Sequence, residues 1–144
     1  MQIATIGFTR SSAEDFFERL KNARVERLLD IRLNNVSQLA GFAKSRDLAY
    51  FLKVICGADY EHDQRLAPTQ ELLDRYRKQR GGWAEYEREF LQLMHERKIP
   101  LTLDRATFAR KTVLLCSEAR PEQCHRRLVA ELLAREWGAD VHHL

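Results

Sequence analysis

The residues best suited to chemistry in this chain lie close together, as Cys116-Ser117-Glu118 and then Cys124-His125-Arg126. A thiol becomes a nucleophile or a metal ligand once it loses its proton, and nearby arginines or a helix N-terminus favour that loss. A carboxylate just beyond a buried strand can exchange a proton as general acid or base, or bind a hydroxyl or amine of a ligand. Cys116 and Glu118 are therefore the candidate catalytic residues. Ser117, Cys124, His125 and Arg126 are candidate ligand-binding neighbours.

Each also has a plainer role. Cys116 can be a buried thiol at a strand end, and Cys124 falls at helical spacing with Leu128 and Leu132, which suits a small core residue. Glu118 can hold an arginine instead of a proton. A Cys-x5-Arg phosphatase loop is absent, because position 122 is Glu. A zinc site from Cys116, Cys124 and His125 with His142 or His143 is a weaker alternative, since its spacing is unlike paired knuckles. The sequence assigns no cofactor and no metal.

These groups need elements to position them. Val113 to Leu115 is a short apolar run that reads as a buried strand, and a helical pattern runs from about Cys124 to Trp137, closed by Gly138. A strand feeding a polar loop and then a helix start is where open α/β folds bind ligands. Two other strand ends carry polar groups. Gln2 to Ile6 leads into Gly7-Phe8-Thr9-Arg10, and Val25 to Ile31 contains Asp30 and is followed by Arg32. In a parallel sheet all three ends share one edge, which adds Gly7, Thr9, Arg10, Asp30 and Arg32 to the ligand-binding candidates. Arg10, Arg32 and Arg126 would favour phosphate or carboxylate, with Asp30 orienting the arginines.

The remaining chain supplies helices. Ser11 and Ser12 cap a helix whose buried face is Phe16, Phe17 and Leu20, and Leu48, Phe51, Leu52 and Ile55 mark another ending at Gly57. Asn34 to Lys44 reads as a loop, and Ala58 to His62 as a short strand. Pro68 and Thr69 open a helix broken by Gly81-Gly82. Another runs from Trp83 to about Arg97, with Tyr86, Phe90, Leu93 and Met94 on one side, and Arg105 to Arg110 reads as a single helical turn. Val141 to Leu144 reads as a last short strand. The expected fold is α/β, a small mostly parallel sheet with helices on both faces, forming one domain over 1–144.

With 144 residues, 44% hydrophobic and 31% charged, the composition is that of a globular chain. A net charge of +3 permits nucleic acid without demanding it. Three cysteines, no leader-like start and no long apolar run point to a reduced, cytoplasmic protein away from membranes.

Thr5-Ile-Gly-Phe-Thr9, Asp30-Ile-Arg32 and Leu115-Cys-Ser-Glu118 with Cys124-His-Arg-Arg127 together resemble the domain-of-unknown-function family 488. The resemblance runs in order along nearly the whole chain, and the Cys-x-Glu…Cys-His-Arg segment is its most specific part. It implies an α/β domain with a polar cluster at these motifs.

The leading functional reading is an enzyme or enzyme-like domain that binds an anionic small molecule or nucleotide-like group at the strand-end edge. The alternatives are a non-catalytic nucleic-acid or protein interaction module, using the basic run Arg75 to Arg80, and a thiol-redox or zinc protein. Whether turnover occurs, and in what oligomeric state, is left open by the sequence.

Overall fold

The computed structural model describes residues 1–36, 41–78, 82–118 and 120–144. Arg80, Gly81 and part of the expected 34–44 loop lie outside the described residues. Five strands form one sheet: β1 (Gln2–Gly7), β2 (Arg27–Asp30), β3 (Asp59–His62), β4 (Thr112–Cys116) and β5 (Asp140–His143). Their order is β3-β2-β4-β1-β5, and every neighbouring pair is parallel. The fold is α/β, as the alternation of strand and helix patterns requires.

Side-chain parity along the strands divides the core in two. Ala4, Ile6, Leu28, Val113 and Leu115 face α1 (Ala13–Asn22) and α2 (Ser45–Phe51). Ile3, Leu29 and Leu114 face α4 (Trp83–Glu96) and α5 (His125–Trp137), with α3 (Gln70–Arg77) adding Leu72 to that layer. Cys116 shares the parity of Leu114, so it lies on the α5 side of the sheet.

Local chemistry explains the element ends. Ser12 caps α1 by accepting from the Asp15 amide at 3.1 Å, and Thr69 caps α3 by accepting from the Leu72 amide at 3.1 Å. The helix expected around Leu48 to Ile55 begins as α2 and continues as a π-helical turn over Leu52–Cys56. It stops at Gly57, whose φ of 65° is left-handed.

Two expectations need correction. The second strand is shorter than Val25 to Ile31, because the Asp30 carboxylate accepts the Arg32 amide at 3.1 Å and turns the chain. Cys124 lies outside the helix: it is the extended residue before α5, with φ −140° and ψ 138°. It is buried there all the same, beside Cys116, His125 and Arg126.

Candidate functional site

Gly7 is paired with Cys116 across β1 and β4, and Asp30 is paired with Leu115 across β2 and β4. The three polar strand ends therefore meet at one edge of the sheet. Gly7 makes the closure possible. A side chain there would overlap the Glu118 carbonyl and Nη1 of Arg126, so only a bare Cα lets the loop and the guanidinium approach. Thr9 pins the same loop from above, donating both its amide (3.0 Å) and its hydroxyl to the Ser117 carbonyl.

Behind the loop are two buried cations held in different ways. Arg126 is wholly buried and donates Nη1 to the Glu118 carbonyl, with Sγ of Cys124 4.0 Å from the same nitrogen. Arg32 donates Nε (2.9 Å) and Nη2 (2.7 Å) to the two oxygens of Asp30, a bidentate pair. Nη2 also donates to the Ala43 carbonyl at 2.7 Å, and the Phe8 ring lies 5.2 Å from the guanidinium carbon. Burial opposes the charge of Arg32, but the hydrogen bonds and charge of Asp30 outweigh it and hold its pKa above the usual arginine value. Nη1 of Arg32 is buried and has no hydrogen-bond partner among the described residues.

The Asp30 carboxylate also accepts from the Tyr60 hydroxyl at 2.6 Å. Burial first, and then that bond to a carboxylate, push the phenol's pKa well above its ordinary value. His62 Nε2 lies 2.7 Å from the Arg32 carbonyl, and Asn35 Nδ2 reaches both Tyr60 and His62. The Asp30 carboxylate thus holds Arg32 on one side and Tyr60 on the other.

At the end of β4 a chain of soft and basic groups begins. Cys116 Sγ lies 3.4 Å from Nδ1 of His125, the first residue of α5. Nε2 of the same ring lies 2.8 Å from the Ile31 carbonyl. A carbonyl can only accept, so Nε2 carries the proton and Nδ1 offers its lone pair to the thiol. The Cys124 thiol hydrogen-bonds to Cys116 on the other side. That bond, the Ser117 amide and the charge of Arg126 hold Cys116 below the ordinary thiol range against the opposing effect of burial. The same bond, followed by burial, raises Cys124 well above it. Two neighbouring thiols are thereby made unequal, and Cys116 is the one disposed to be an anion.

These groups line one cleft of ≈ 380 Å³, which Arg32, Thr9 and Ser117 also border. Its aromatic wall is Tyr76, Trp83 and Tyr86, with Trp83 and Tyr86 stacked at 5.2 Å between centroids. The sequence places Tyr86 on the apolar side of its helix and Trp83 at the helix start, with no direct sign that the rings form a wall. Trp83 and Tyr86 at i, i+3, directly after a glycine at the helix start, were the available signal.

Two candidates lie away from the floor of the cleft. Glu118 is exposed, its carboxylate 3.8 Å from Arg77, and only its backbone carbonyl touches Arg126. The sequence sets it just beyond a buried strand, but the chain beyond Cys116 leaves the strand and turns the side chain to solvent. Arg10 is exposed in a left-handed turn, with φ 62°, and does not border the cleft. The basic run is laced with acids: Arg75 pairs with Glu89 at 3.1 Å and Lys78 with Asp74 at 3.6 Å. His143 is on β5, where Nδ1 meets the Thr5 hydroxyl at 2.6 Å, and it does not join Cys116, Cys124 and His125. No helix among the described residues is long and apolar enough to cross a membrane.

The family model for the domain of unknown function DUF488 matches residues 12–133, and the chain belongs to that family. The matched span includes Asp30, Arg32 and everything from Cys116 to Arg126, and leaves Gly7 to Arg10 outside. No curated protein and no solved structure matches the chain.

Proposed function

We propose that this protein binds an anionic small molecule carrying a flat ring system, of the nucleotide type, in the cleft at the C-terminal edge of the sheet. The observation that carries this reading is Nη1 of Arg32, which has no hydrogen-bond partner among the described residues and is buried at a cleft that also has a stacked Trp83–Tyr86 wall. A buried guanidinium edge without a partner is costly, and an anionic oxygen would satisfy it. Stacked rings add a surface on which another flat π-system can lie. Asp30 prevents Arg32 from folding away, so the donor is preorganised before the ligand arrives.

The groups that would act on the bound molecule are Cys116 and His125. Cys116 has the depressed thiol and so supplies an electron pair, and Nδ1 of His125 is placed to take or return its proton. Glu118, exposed and bridged to Arg77, guards the rim and helps set the charge that an entering anion meets.

Thermal denaturation with inorganic phosphate, sulfate and a set of nucleoside monophosphates tests the binding. At a ligand concentration about one hundred times Kd, mass action adds about 2.7 kcal/mol, a rise of several degrees for a domain of this size. The rise should be present with the intact protein and largely lost in Arg32→Met. No rise across the whole set would favour a non-catalytic interaction module instead.

A further inference from the structure

We infer that Cys116, Cys124 and His125 form a binding site for a thiophilic metal ion of the zinc class, with its fourth coordination position opening into the cleft. This rests on the cleft being the ligand site; an ion there takes Sγ of Cys116 and Nδ1 of His125 as ligands, and so replaces the nucleophile and base roles that these atoms have in the metal-free protein.

The ligand atoms of the three residues all lie within 4.8 Å of one another, and all three side chains are buried. Tetrahedral zinc with Zn–S of about 2.3 Å and Zn–N of about 2.0 Å requires an S···N edge of roughly 3.5 Å. The Cys116 Sγ to His125 Nδ1 distance is 3.4 Å, so that edge already has the right length. The imidazole is oriented as a ligand should be. Its Nε2–H is given to the Ile31 carbonyl, the outer contact that fixes the tautomer and aims the Nδ1 lone pair inward.

The donor set comes from two places in the fold. Cys116 ends β4, whereas Cys124 and His125 sit at the start of α5, so the loop between them acts as the clasp. Two thiolates would neutralise a divalent ion, and Arg126 beside Cys124 would steady the sulfur charge. No fourth histidine, cysteine or carboxylate joins the cluster among the described residues, while all three ligands border the cleft. Three protein ligands with one position left open is the pattern of a catalytic site, whereas structural sites close all four. An ion there would polarise an oxygen of the anion that Arg32 holds.

Cobalt substitution tests the assignment directly. Co(II) added to reduced, metal-free protein should give a thiolate-to-cobalt charge-transfer band and intense visible bands of tetrahedral type, saturating at one equivalent. Zn(II) should abolish them by competition. Cys116→Ser, Cys124→Ser and His125→Asn should each weaken the metal by at least about 100-fold, on the scale of losing a ligand or its support. Cys56→Ser, at a thiol that contacts the Phe17 carbonyl instead, should leave the spectrum unchanged. Failure of the wild-type protein to develop the charge-transfer band would overturn the site whatever the variants do, leaving a hydrogen-bonded thiol chain only. Arg32→Met separates the two readings, since it should retain the cobalt spectrum while losing the thermal response to anions. A cobalt spectrum without any anion response would retain the metal site and remove the binding reading.

Discussion

His125 presents Nδ1 to Cys116 at 3.4 Å because its other nitrogen is committed to the carbonyl of Ile31 at 2.8 Å. The contacts join the first turn of α5 to the end of β4, its neighbour in the chain, and to the residue just past β2, 94 positions away. The tautomer that faces the thiol is thus set by a backbone atom just past the second strand.

One consequence concerns reactivity. In metal-free protein, alkylation of Cys116 should titrate at lower pH than that of Cys56, whose thiol burial pushes upward. Cys124→Ala should move the Cys116 profile to higher pH, since the Cys124 hydrogen bond is the largest influence depressing it. Identical profiles for Cys116 and Cys56, read by mass spectrometry of labelled peptides, would count against the unequal thiol pair.

Stability at the strand edge depends on Asp30. Asp30→Asn removes the counter-charge of a buried arginine and should cost about 3–5 kcal/mol in urea denaturation. Asp30→Asn combined with Arg32→Met should recover much of that loss, because no buried charge is left alone. A double variant as unstable as the single would mean the pair is not coupled.

Gly7 is held to its identity by space. Gly7→Ala should lower the melting temperature sharply or prevent folding, because the methyl group meets the Glu118 carbonyl and Arg126 together. Gly41→Ala meets no atom of the described residues within 4 Å and should change stability by less than about 0.5 kcal/mol. Comparable melting curves for the two variants would remove the close approach as an explanation.

His143 on β5 should make a small local contribution to acid sensitivity. Burial, the largest influence, lowers the pKa of His143 from its ordinary 6.5. The neutral ring is therefore favoured in the folded state, and its contribution is present above the ordinary imidazole value. It is lost as pH falls through the depressed folded value. His143→Gln should flatten the dependence of the urea midpoint between neutral pH and about pH 5. An unchanged slope in that variant would place the sensitivity elsewhere.

Much of this layout was legible because parallel strands obey strict rules. Period-two parity put Leu114 and Cys116 on one face, and the apolar runs placed Gly7, Asp30 and Cys116 at a shared edge. Glu118 was misjudged because strand parity ends at Cys116, and its partner Arg77 comes from a helix that no local pattern links to it. Cys124 is buried, as a small core residue should be, but the helix begins one residue later, because helical spacing runs on over its cap. The Ile31 carbonyl leaves no trace in the sequence, since every residue has one. The aromatic wall is not legible because Tyr86 fits equally well as helix core, and no local pattern links Tyr76 on one helix to Trp83 at the start of the next.

The most direct measurement is quenching of Trp83 fluorescence by nucleoside monophosphates, with Trp137 replaced by Phe so that one indole reports. Trp83 borders the same cleft as Arg32, so a ring stacked there must alter its emission. At least one nucleotide should quench it saturably, Arg32→Met should weaken that binding by tenfold or more, and phosphate should compete. The absence of saturable quenching across the set would contradict the assignment of the cleft as the anion site.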